Sequence, residues 1–222
     1  MGVLSHLSLL AALLLVAPPA RAEWQEALAP GIDPATALRD ARAALAETQP
    51  NDARRAARLA ELGLVAFELN RTTEAAKSIE EALTDRGWAT LPRPLQMQLL
   101  TALGVLDSIT WDFAGGQGGE ATRNGKRHTA KGWAAEARGE FAHAQTLAGP
   151  STNPADPQPF VVRQRTVLMD DIEAGPTAAA QDLQVLADDA RHALGEDNRI
   201  TILISGTWAM MLNIAVLCSN RH

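Results

Sequence analysis

The chain has 222 residues, 46% of them hydrophobic and 21% charged, which supplies one buried core and excludes a disordered polypeptide. A formal charge of −6 and a pI near 5.4 exclude a general nucleic-acid binder, whose affinity needs clustered Lys and Arg. The one cysteine, Cys218, excludes an intrachain disulfide and a Cys-rich metal site, and abundant Ala favours helix.

The first 22 residues, MGVLSHLSLLAALLLVAPPARA, carry an apolar run from Leu7 to Val16, then Pro18 and Pro19, then Ala20 and Ala22 on either side of Arg21. This is the pattern of a secretory signal peptide cleaved near Ala22, so the mature protein is expected in a bacterial periplasm or secreted. The alternative is an uncleaved apolar anchor, since no Lys or Arg precedes the run. The remainder, 23–222, is expected to be a single all-α domain. Apolar residues recur three and four apart, and strand signals are almost absent before the last segment. Asp33 and Pro34 open the first helix as N-cap and first-turn proline, and Gln49 and Pro50 close it. Asn51 or Asp52 caps a second helix bearing Leu59, Leu62, Leu64 and Phe67. A short turn over 70–73 leads into a third, EAAKSIEEAL. Two antiparallel helices joined so closely bury one face in each other and leave another needing a neighbour.

Leu59, Leu62, Gly63, Ala66, Ala75, Ile79 and Ala82 resemble, in type and spacing, the signature of a tetratricopeptide repeat. Gly63 and Ala75 stand where the two helices of such a hairpin come closest. The pattern recurs at Leu100, Leu103, Gly104 and at Ala137, Phe141, Ala144. Gly63 and Ala75 are 12 positions apart but Gly104 and Ala137 are 33 apart, so the second repeat carries a 21-residue insertion, placed at about 113–132. Further on, Leu194, Gly195, Glu196, Asp197 and Thr201 are similar to the linker of the longer tetratricopeptide variety found in kinesin light chains, with Asn198 and Arg199 in place of that linker's His-Pro. Gly195 is expected to end a helix in the left-handed conformation, with Asp197 or Asn198 capping the next.

The resemblance implies antiparallel helical hairpins stacked as a tetratricopeptide-like α-solenoid. Its hairpins are placed at about 53–86, 94–148 and 159–194, with a final unpaired helix at 199–218. In that family the first helices line a concave groove for an extended peptide or a partner helix. This implies contacts from Ala60, Leu64, Phe67 and Glu68 in the first repeat and from Gln98, Thr101, Val105 and Ser108 in the second. The expected partner is a protein or peptide, bound by an exported scaffold or adaptor with no cofactor.

The last helix has a competing reading. Ile200 to Cys218 is a run of 19 uncharged residues, barely long enough to span a bilayer. Thr201, Ser205, Gly206, Thr207 and Asn213 favour a buried solenoid helix, and the alternative is a membrane-tethered envelope subunit. With no second helix following it, this end is expected to dimerise, to dock on a partner, or to mark a gene fragment.

The insertion contains GGQGGEATRNGKRHT. A phosphate-binding loop needs glycine five positions before the Gly-Lys pair and Ser or Thr after it; those positions are Glu120 and Arg127, and a helix rather than a strand precedes the loop. The segment is therefore expected to be a flexible solvated loop. Arg123, Lys126, Arg127 and His128 are available to an anionic partner, and an enzyme built on them, such as a phosphate-ester hydrolase, is the remaining alternative. No HExxH, GxSxG or paired-cysteine motif is present, so neither catalytic residues nor a metal site is expected. Neighbouring acids such as Asp188 and Asp189 diverge around their helix and read as solvated charge.

Overall fold

The computed structural model describes residues 33–114, 119–149 and 156–219, with side chains described except at 112–113, 171–174 and 218–219. The expected signal peptide, the segment 115–118 and the Cys218 side chain lie outside the described residues. Eight α-helices and one β-hairpin are found among them: α1 (Pro34–Ala46), α2 (Arg55–Glu68), α3 (Thr72–Thr84), α4 (Arg93–Phe113), β1 (Glu120–Arg123), β2 (Lys126–Thr129), α5 (Ala130–Ala148), α6 (Gln158–Ala174), α7 (Pro176–Leu194) and α8 (Arg199–Ser219). The chain divides into two compact units, one up to Glu140 and one from Phe141.

In the first unit, local chemistry sets the helix ends. Asp33 caps α1 by accepting from the Thr36 N–H at 2.9 Å, with Pro34 in the first turn. Asp52 accepts from the Arg54 N–H at 2.8 Å in the turn before α2, without capping the helix itself. Asn70, with φ of 56°, ends α2, and across it the Arg71 N–H reaches the Ala66 carbonyl at 2.9 Å. Helices α1, α3 and α4 all pack on α2, which is why α2 is buried around most of its circumference. Gly63 is where α2 and α3 come closest: a Cβ there would lie 2.7 Å from Ile79 Cγ1. Arg42 of α1 makes a two-pronged ion pair with Glu74 of α3, at 2.7 and 2.6 Å.

In the second unit, α7 packs against both α6 and α8 and contributes Leu183, Leu186, Ala187 and Ala190 to the interior. Gln164 of α6 donates to the Thr207 hydroxyl of α8 at 2.8 Å in the buried layer. Asn198 caps α8, accepting from the Ile200 N–H at 2.9 Å. Gly195 does take positive φ after α7, but its φ of 94° and ψ of 162° belong to the extended, glycine-only region and not to the left-handed helical conformation expected.

The all-helical class is what the described residues adopt, with one departure. The described part of the insertion is not the flexible loop expected: 120–129 forms an antiparallel β-hairpin pairing Glu120 with Thr129 and Arg123 with Lys126. Asn124 and Gly125, with φ of 50° and 80°, supply the two positive-φ residues of the two-residue turn that matches strand twist.

Candidate functional site

The hairpin is two-faced. Glu120, Thr122, Arg127 and Thr129 are exposed, whereas Ala121 and His128 are half-buried and Arg123 is buried. Because side chains alternate along a strand, Arg123, Lys126 and His128 share the inner face, and Arg127 alone of these four residues lies on the outer one. Each inner side chain of the three meets an acid of the same chain. Arg123 pairs with Asp107 of α4 and, at 3.2 Å, with Glu80 of α3, and it donates to the Thr110 hydroxyl at 3.2 Å. Lys126 Nζ lies 3.5 Å from Glu80, and His128 Nε2 lies 4.0 Å from Glu136 of α5. Arg127 pairs with Glu120 within the hairpin. The acids that these four side chains face here are therefore internal.

Trp133 of α5 completes the anchorage. Its ring is fully buried, with the Arg123 guanidinium 4.8 Å from its centroid and the His128 ring set edge-on at 4.9 Å. Its indole N–H donates to the Ala121 carbonyl at 3.1 Å. One aromatic ring thus engages both strands, by cation–π contact on one and ring packing on the other.

Between the hairpin and the helices lies an open cleft of about 630 Å³, within the usual range of ligand pockets. Lys77, Glu80, Glu81 and Thr84 line it from α3, at the three- and four-residue spacing that puts them on one helix face. Leu83 and Leu103 add apolar surface, Asn124 and Lys126 come from the hairpin, and Glu140 from α5. Two carboxyls here are displaced toward neutral pH. Burial raises Asp107 to about 6, against the opposing pull of Arg123. Burial likewise raises Glu140 to about 7, reinforced by the charges of Asp107 and Glu136.

The residues assigned to a concave groove are distributed differently. Ala60, Leu64, Thr101, Val105 and Ser108 are buried, with exposures of 8% or less, so they offer a partner no surface in this arrangement. Phe67, Glu68 and Gln98 are half-buried. The exposed apolar surface is elsewhere: of six exposed large apolar side chains among the described residues, Ile202, Met210, Leu212, Val216 and Leu217 are on α8. The opposite side of α8 holds Leu203, Ile204 and Met211 in the interior. No cluster of metal-ligating side chains occurs among the described residues.

Sequence reasoning missed Glu80, Asp107 and Glu140. Asp107 left a readable signal, as the only charged residue between Arg93 and Asp112 in an apolar helix. Comparison with protein-family models, with curated proteins and with solved structures finds no match to this chain.

Proposed function

We propose that the protein is an exported, non-enzymatic adaptor of tetratricopeptide-like helical hairpins that holds a helix of a partner protein against the outer face of α8. The observation that carries this reading is the apolar surface of that helix. Ile202, Met210, Val216 and Leu217 stand at helical spacing, with exposed Gly206 and Ala209 between them. Large side chains flanking small ones form a shallow groove into which the ridge of another helix fits. An exposed apolar patch of this kind marks an interaction surface more often than an incidental one. It also supplies what the buried α2 and α4 positions do not, so the partner face moves from the expected groove to α8.

A photo-reactive residue at Val216 is expected to give one discrete adduct with a heterologous protein in the cell envelope. The same probe at exposed Thr146 is expected to give none. Met210→Lys combined with Val216→Lys should abolish the adduct of a probe at Leu217 while leaving helicity and melting unchanged. Adducts only with lipid, or only with a second copy of the chain, would count against the reading. Membrane tethering is the second reading, favoured by one observation: Arg199–Leu217 is 19 residues long with mean hydropathy 1.9, enough to cross a bilayer by length and composition. Recovery of the mature protein in a soluble fraction without detergent eliminates it.

A further inference from the structure

We propose that the cleft beneath the hairpin is a binding site for a cationic group, an alkylammonium carried on a slim apolar stem, with the Glu140 carboxylate as its counter-ion. The argument starts from which charges in the cleft are already used. Glu80 is held by Arg123, Lys126 and the Asn124 amide, the last at 3.2 Å. Glu81 is held by Arg55 at 3.3 Å. Asp107, one turn along α4 from Leu103, is held by Arg123. Glu140 has neither an ion pair nor a hydrogen bond among the described residues, although it is half-buried in the cleft wall.

A half-buried carboxylate is a costly place for an uncompensated charge, and a ligand cation removes that cost. Lys77 is the cleft's other charge without an ion pair among the described residues, and it is exposed. Water already screens an exposed ammonium, so an anion entering the cleft would gain little from Lys77 while meeting the charge of Glu140. The balance favours a cation. Half-buried Leu83 offers apolar surface to the stem, and Thr84 also lines the cleft.

Binding is coupled to a proton. The charged groups around Glu140 are Lys77, Glu80 and Glu81 on α3, Asp107 on α4, Lys126 on the hairpin and Glu136 on α5. Burial and the neighbouring acids, outweighing the opposite pull of Lys126, keep Glu140 largely protonated below about 7, so the cation displaces that proton as it binds. Affinity should therefore rise about tenfold per pH unit below that value and level off above it. The inference concerns a site in the first unit and does not depend on docking at α8.

The test is calorimetric titration of the full mature chain at low ionic strength, between pH 5.5 and 8.5, with four probes. The cationic probes are cadaverine and an N-acetylated, C-amidated Gly-Lys-Gly peptide; the controls are the same peptide with norleucine and inorganic phosphate. Saturable binding of either cationic probe, tighter at pH 8.5 than at 5.5, is expected, and the tighter of the two identifies a free amine or a polypeptide side chain as the source. Glu140→Gln should weaken that binding at least tenfold and remove its pH dependence, while Glu61→Gln, on exposed surface of α2, changes neither. The proposal is overturned if neither cation binds, if norleucine or phosphate binds as tightly, or if folded Glu140→Gln binds like the parent. A melting curve for each variant separates loss of the site from loss of the fold.

Discussion

Arg123 and Asp107 are the residues on which the first unit makes its largest electrostatic commitment. Their side chains are 7% and 2% exposed, and each compensates the other's lost hydration. Removing one partner leaves the other buried and unpaired, so Arg123→Met is expected to cost about 3 kcal/mol in urea-induced unfolding. Arg123→Met with Asp107→Leu should recover most of that loss, because neither charge then remains to be stranded. A double variant as unstable as the sum of its parts would mean that the pair is not the source. Steric commitments can be tested in the same way at glycines. Gly139 has open space where a Cβ would go, so Gly139→Ala should stabilise by about 1 kcal/mol through helix propensity alone. Gly63 has Ile79 Cγ1 at 2.7 Å from that point, and Ile79 is fully buried. Overpacking of about 1–3 kcal/mol there outweighs the same propensity gain, so Gly63→Ala should destabilise. Chemical denaturation of the two variants should give shifts of opposite sign.

At the scale of elements, the β-hairpin is the least self-sufficient part of the molecule. Two four-residue strands are marginal in isolation, so this pair depends on its turn and on its anchors to α3, α4 and α5. Gly125, at φ of 80°, cannot be replaced without strain. Gly125→Val should cost about 1–2 kcal/mol, and the loss should appear as faster amide hydrogen exchange at 120–129 with little change in α2 or α3. The same locality explains what could be read beforehand. Asp33 with Pro34, Asn198, and the close approach at Gly63 are determined by neighbours a few positions away or by one helix packing on the next, and these were legible. The hairpin was not, because four-residue strands rich in cations show no run of alternating apolar residues; only Asn124-Gly125 announced it. The site was less legible still. Arg123 and Glu80 are 43 positions apart, and nothing in the spacing of either charge reveals that the other will face it. The groove assignment had the opposite problem: helical periodicity marks Leu64 and Val105 as facing something, and does not say whether that is a partner or the protein's own interior.

For the whole molecule, the ionisable groups that folding perturbs fall into two sets with opposite effects on stability. Asp33, Asp52 and Glu74 are held below their ordinary values by hydrogen bonds from Thr36, Arg54 and Arg42 respectively, Asp52 reaching about 2. Their contribution is present above the unfolded value near 4 and is lost as the pH falls through the lowered folded values. Asp107 and Glu140 are raised, to about 6 and about 7, so the folded chain binds their protons more tightly than the unfolded chain does. Their contribution is present below about 4 and is lost as the pH rises through 6 and 7. The two sets together place maximum stability in mildly acidic solution, with unfolding free energy falling from pH 4.5 to pH 7.5. Glu140→Gln should unfold at the same denaturant concentration as the parent at pH 4.5 and at a higher one at pH 8, since glutamine carries no charge to bury. A stability curve that rises between pH 5 and 7, or a Glu140→Gln variant weaker than its parent at pH 8, would contradict the assignment. If the variant that gains stability at pH 8 is also the one that loses cation binding, then the chain keeps Glu140 at a cost to its own fold, which is the signature of a residue retained for contact and not for packing.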